Sequence, residues 1–194
     1  HIINCSDISI NNIWSHSNGY HGCIIVTSSR IKIIDSKFTD NGYRPIHGHN
    51  AVLDTQIINN ICYDNAKGFT NEVAGPYDGI YFYDGIKNLL IQGNTITSAN
   101  SVGCIVIGGK YNGEAESKYI SVVGNICTSG LPDSIHGIWM IGTLLKHVLI
   151  ANNVIQNCSW GIGCDTAGGN LGFNIAIKDN IIDDCVYGVN LSIP

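Results

Sequence analysis

The sequence predicts an all-β solenoid of about seven coils, and three observations predict it. Aliphatic and polar residues alternate with a period of two in short runs. These runs return along a chain of 194 residues at steps of 23, 24, 34, 31, 28 and 27. Asn and Gly, rather than helix caps, punctuate them. A unit of two or three short strands cannot bury its own apolar face, so it must stack on its neighbours.

The elements follow in order. The aliphatic pairs are Ile8/Ile10, Ile31/Ile33, Thr55/Ile57, Leu89/Ile91, Ile120/Val122, Val148/Ile150 and Ile175/Ile177. Three residues beyond each of the last six pairs lie Ser36, Asn60, Asn94, Asn125, Asn153 and Asn180. Asn suits such a turn because it tolerates the left-handed conformation and because stacked Asn side chains bond to one another along a rod. Two residues further lie Phe38, Cys62, Ile96, Cys127, Ile155 and Ile182, all suited to burial.

A second register opens on glycine: Gly22-Cys23-Ile24-Ile25, Gly79-Ile80-Tyr81-Phe82, Gly103-Cys104-Ile105-Val106, Gly137-Ile138-Trp139-Met140, Gly161-Ile162-Gly163-Cys164 and Gly188-Val189-Asn190-Leu191. The residues one and three after each Gly are expected to face inward. The outward set is then Ile24, Tyr81, Tyr83, Ile105, Ile107, Trp139, Ile141 and Asp165. That is apolar for a free surface, and it reads either as a sugar-binding floor or as a subunit interface.

Composition narrows the function. Charged residues are 13% of the chain and the net charge is −5, with no basic stripe, so nucleic acid is not the expected partner. No apolar run reaches the roughly 20 residues of a spanning helix, so membrane insertion is not expected either. The eight Cys include no C-x-x-C pair, so no metal site or cofactor is expected and the thiols are read as free. Cys23 and Cys104 are expected to share one inward register, and Cys62 and Cys127 another. Only Cys158 and Cys185 share a register on adjacent coils, close enough to bond, and they too are expected to be thiols.

Extra residues enter the coils at 63–77, 108–118 and 128–135, and loops on neighbouring coils make walls. Between the first two walls lie Asp78, Tyr81, Tyr83 and Asp84, with Glu114 and Glu116 in the second. Paired carboxylates of this kind serve glycoside hydrolysis. An alternative chemistry resides in Tyr43-Arg44-Pro45-Ile46-His47-Gly48-His49, where Arg44 neutralises a carboxylate and His47 or His49 moves a proton.

The N-x-I turns, the G-I strand openings and the variable coil lengths resemble the right-handed parallel β-helix of the pectate-lyase-like superfamily over nearly the whole chain. With the low charge and the apolar stripe, the chain is most similar to the central region of a bacteriophage tailspike. That resemblance implies a single β-helix domain over 1–194, a segment of a longer chain, assembled as a homotrimer on a virion tail or otherwise extracellular. It implies binding and hydrolysis of a bacterial surface polysaccharide, with Asp78, Asp84 and Glu114 as acids and Tyr81, Tyr83 and Trp139 as sugar platforms. Two alternatives stand beside it: a secreted lyase or epimerase acting through Arg44, His47 and His49, and a β-helix that only binds glycan.

Overall fold

A computed structural model describes residues 1–65, 79–98, 103–109, 116–129, 136–142, 144–165 and 174–191. Each turn of the chain gives one strand to each of three parallel sheets. Sheet A has eight strands, from Ile2–Ile3 to Tyr187–Leu191. Sheet B has seven, from Ser6–Asn11 to Ile175–Lys178, and sheet C seven, from Trp14–His16 to Ile181–Asp183. The architecture is that of a right-handed parallel β-helix. No helix among the described residues is long and apolar enough to cross a membrane.

The aliphatic pairs stack as the sequence predicts. Ile31 lies beside Ile8, Ile57 beside Ile33, Leu89 beside Thr55, Val122 beside Ile91 and Ile177 beside Ile150. Ile31, Ile33, Ile57, Ile91 and Ile150 are wholly buried. β-Branched side chains suit this tube because each packs on its counterpart one coil away.

The connection from sheet B to sheet C has two residues in every coil joined by it, 12–13 in the first and then from 35–36 to 179–180. Its first residue is left-handed: Asp35, Asn59, Gly93, Gly124, Asn152 and Asp179 have φ between 49° and 66°. From Ser36 onward its second is the ladder residue itself. Asn60 Nδ2 donates to Asn94 Oδ1 (3.0 Å), Asn94 to Asn125 (2.9 Å), Asn125 to Asn153 (3.0 Å) and Asn153 to Asn180 (2.9 Å). The expectation that one Asn does both jobs is therefore corrected. The backbone bend belongs to the preceding residue, and the inward Asn is selected for hydrogen bonding alone. A second ladder, Asn18–Asn41–Asn65, runs along the corner between sheets C and A.

Sheet A carries the largest correction. Gly103 pairs with His136, so Cys104 rather than Gly103 stands level with Gly137. A slip of one residue turns every side chain over. Ile105 and Ile107 consequently lie in the core, wholly buried, and Val106 faces out beside Tyr81. Cys23, in register with Ile46, does not share a ladder with Cys104, whereas Cys62 and Cys127 flank Ile96 as expected. All eight cysteines are free. The inward ladder through Ile25, Gly48, Phe82 and Ile107 shows why Gly48 has no side chain: a Cβ there would come within 2.2 Å of the Phe82 ring.

The outward stripe is likewise not an open surface. Besides the two inverted isoleucines, Tyr81 is 7% exposed and Ile141 8%. Tyr81, Val106 and Ile141, with Tyr83 and Trp139 against them, form a small apolar cluster outside the main core.

Candidate functional site

The outer face of sheet A concentrates the chemistry. His47 lies beside Ile24 on one coil and Tyr81 on the next, and His49 lies beside Val26 and Tyr83. Arg44 precedes this strand, and its guanidinium lies 4.0 Å from the Tyr81 ring centroid and 4.6 Å from that of Tyr43. Such sandwiching orients a planar cation that remains charged at any working pH.

Arg44 Nη1 lies 3.0 Å from His47 Nε2, and His47 Nδ1 lies 3.3 Å from His21 Nε2. A guanidinium only donates, so the His47 nitrogen that meets it offers a lone pair; Arg44 Nη1 also lies 3.3 Å from His47 Nδ1. His21 Nδ1 is a buried atom without a hydrogen-bond partner. Both imidazoles are held neutral. Burial, then the Arg44 charge, lowers the pKa of His21 to about 4 and that of His47 further still.

Aromatic rings complete the cluster. His47 and His49 stack at 4.8 Å, and Tyr83 stacks on both, at 5.7 and 5.6 Å. Tyr20 stacks on Tyr43 at 5.2 Å. Arg44, His21, His47, Tyr43 and Tyr81 are buried, while His49 and Tyr83 are half-buried and form the open edge.

The structure thus brings together Arg44, His47, His49, Tyr81 and Tyr83 as one cluster. Trp139 joins its apolar flank two coils from Tyr81, about 9.6 Å along the rod. One Trp139 face is already taken by His136, stacked at 4.8 Å, and its indole Nε1 is buried without a partner. Asp84 is 4% exposed at a left-handed turn one residue past Tyr83. Asp78 and Glu114 lie outside the described residues. Glu116 is held by Lys118 at 2.7 Å and Lys146 at 2.6 Å, which pull its pKa down to about 2. It is an ion-pair carboxylate and not a proton donor.

Sequence reasoning missed Tyr20, and it gave Tyr43, named beside Arg44, no role of its own. A signal was present: Tyr20 to Tyr43 and His21 to Arg44 both repeat the 23-residue step that separates Ile8 from Ile31.

The buried imidazoles predict a pH response. Their folded pKa values lie below the unfolded value near 6.5, so the stability they lend is complete above about pH 6.5 and is lost as pH falls toward 4. Lowering the pH from 7 to 5 is expected to cost 1–2 kcal/mol, roughly, per neutral imidazole. Urea unfolding of the wild type and of His21→Gln/His47→Gln checks this, since the double variant loses most of the slope.

No protein-family model and no curated protein sequence matches the chain. Among solved structures it is similar to the A-module of the mannuronan C-5 epimerase AlgE4 of Azotobacter vinelandii, with a TM-score of 0.61 and 15% identity over 97% of this chain. It is also similar to the A-module of the mannuronan C-5 epimerase AlgE6 of the same organism, with a TM-score of 0.52 and 12% identity over 96% of this chain. The chain spans 57% and 59% of those two modules. At these identities the likeness is one of fold, the right-handed parallel β-helix.

Proposed function

We propose that this protein acts on an acidic polysaccharide, taking the C5 proton of a uronate residue on the outer face of sheet A. The observation that carries the reading is the Arg44–His47–His21 chain, packed among Tyr43, Tyr81 and Tyr83. A fold shared with two mannuronan C-5 epimerases agrees with it.

The chemistry follows from the donors present. A uronate C5–H is acidified by its carboxylate, and more so once a cation holds that group. The substrate carboxylate takes the Arg44 guanidinium, which releases the His47 lone pair. His47, or His49 at the open edge, then accepts the C5 proton. A tyrosine hydroxyl on the opposite face of the sugar returns a proton in epimerisation. If instead the C4–O bond breaks, a C4=C5 double bond forms and the oxygen leaves with the neighbouring sugar, taking up a proton; that is elimination.

Hydrolysis by a tailspike-like trimer has less support. Of Asp78, Asp84 and Glu114 only Asp84 is among the described residues, so no acid pair is described. A pair of accessible acids is what that reaction requires.

Incubation with polyuronates and neutral glycans in deuterated water tests the reading, followed by proton NMR and by ultraviolet absorbance. Deuterium at C5 or an unsaturated product, from uronates alone, is the expected result. New reducing ends without either signal would overturn it in favour of hydrolysis.

A further inference from the structure

The corner between sheets C and A changes character along the rod. In the first three coils it is lined by Asn18, Asn41 and Asn65; the corresponding residues near the other end are Cys158 and Cys185, each following a left-handed residue, Asn157 or Asp184. The two cysteines stand on adjacent coils in register. Val186 donates to the Cys158 carbonyl at 3.2 Å and Tyr187 to the Ser159 carbonyl at 2.9 Å. Parallel neighbours are about 4.8 Å apart, within the Cα separation that a disulfide spans. Both thiols turn the same way, each toward the carbonyl two residues before it, at 3.3 and 3.4 Å. The thiols also bear on each other.

We propose that Cys158 and Cys185 are a redox pair that closes into an inter-coil disulfide, a covalent rung replacing the hydrogen-bonded rung that Asn supplies elsewhere. This is independent of the polysaccharide reading. Cys158 is buried at 1% exposure, while Cys185 is half-buried and is the point of entry. The Cys185 thiolate attacks a small disulfide such as oxidised glutathione, forming a mixed disulfide and releasing one glutathione thiolate. Cys158 then gives up its proton, attacks Cys185 Sγ and expels the second glutathione. Two electrons pass from the protein to glutathione, and the two protein protons end on the glutathione thiols. The neighbouring Cys104 thiol, together with burial, keeps Cys158 protonated until that second step, so closure is slow near neutral pH and faster in alkali.

The rung has a structural consequence. Trp160 and Tyr187 follow the two cysteines by two residues and stack at 4.4 Å, and Trp160 continues onto His136 at 5.8 Å. The disulfide would hold this aromatic stack in register and tie the strand Tyr187–Leu191 to the coil before it.

The test uses the whole folded chain. It is equilibrated with oxidised glutathione, acid-quenched, unfolded and alkylated, then weighed intact and mapped by peptides. The expected result is alkylation of all but two of the eight cysteines, with a linked peptide pair containing Cys158 and Cys185. Full alkylation, or a bridge through Cys104, would overturn the proposal. Thermal melts supply a second reading: oxidation raises the midpoint of the wild type and of Cys104→Ser, and leaves Cys185→Ser unmoved. A redox-dependent shift that survives in Cys185→Ser would equally overturn it.

Discussion

Replacing Asn94 with leucine lowers the free energy of unfolding by about 4 kcal/mol. Asn94 Oδ1 accepts from the backbone N–H and the Nδ2 of Asn60, at 2.9 and 3.0 Å. Its own Nδ2 donates to Asn125 Oδ1 and to the Ile57 carbonyl, both at 2.9 Å. Leucine fits the volume and satisfies none of these. Asn60, Asn125 and Ile57 are each wholly buried, so water cannot replace the lost partner. Each stranded group costs roughly 1–3 kcal/mol, part of it recovered by relaxation. The same change at Asn180 also strands the wholly buried Asn153 amide and Ile150 carbonyl, but Asn180 is itself half-exposed and, among the described residues, passes no hydrogen bond on to a further Asn, so the loss is smaller, about 2 kcal/mol. Urea titration followed by circular dichroism distinguishes the two. A loss below about 1 kcal/mol at Asn94 would show that the ladder is ornamental rather than structural. In a stacked rod the damage also divides the molecule, so the Asn94 variant is expected to unfold less cooperatively, with a smaller denaturant slope.

On the proposed function, Arg44→Met is expected to lower turnover of a uronate polymer by a factor on the order of 10³ in kcat, equivalent to about 4 kcal/mol of transition-state stabilisation. Methionine keeps the apolar stem between Tyr43 and Tyr81 but removes the charge that would meet the carboxylate. A second readout separates this from mere disruption. Arg44 is the second contributor, after burial, to the depressed pKa of His21 and His47. Its removal therefore raises both, and imidazole NMR titration should follow them toward 6.5. Arg44→Lys restores charge without the fork and is expected to recover a minor part of the activity. Activity of Arg44→Met within tenfold of wild type would remove Arg44 from the chemistry.

The architecture was legible because its signal is written many times over. Each coil repeats the aliphatic pair and the turn residue, so one irregular coil does not obscure the register. Where a single glycine was the only guide, the reading failed at Gly103, since a period of two offers no correction for a slip of one. The Asn turn was recognised for the right residue but partly for the wrong reason, because bend and ladder sit on consecutive positions that composition blurs together. At the site, Arg44, His47 and His49 were visible as a local cluster, and Tyr81 and Tyr83 as outward positions of one strand. Tyr43 was part of that local cluster, whereas His21 and Tyr20 join it from the preceding coil, which becomes legible once the step between coils is applied to polar residues as well as to aliphatic ones.

The two-residue connection between sheets B and C is the one corner whose length is the same throughout the described chain. Every difference in coil length, from 23 to 34 residues, is thus accommodated at the two edges of sheet A. Evolution can lengthen, shorten or exchange the borders of that face without disturbing the spine opposite. Recombination that swaps whole coils at the Asn positions would keep the spine in phase while bringing in new borders. The natural unit of inheritance here is the coil, cut at asparagine, and chimaeras joined there are the ones expected to fold.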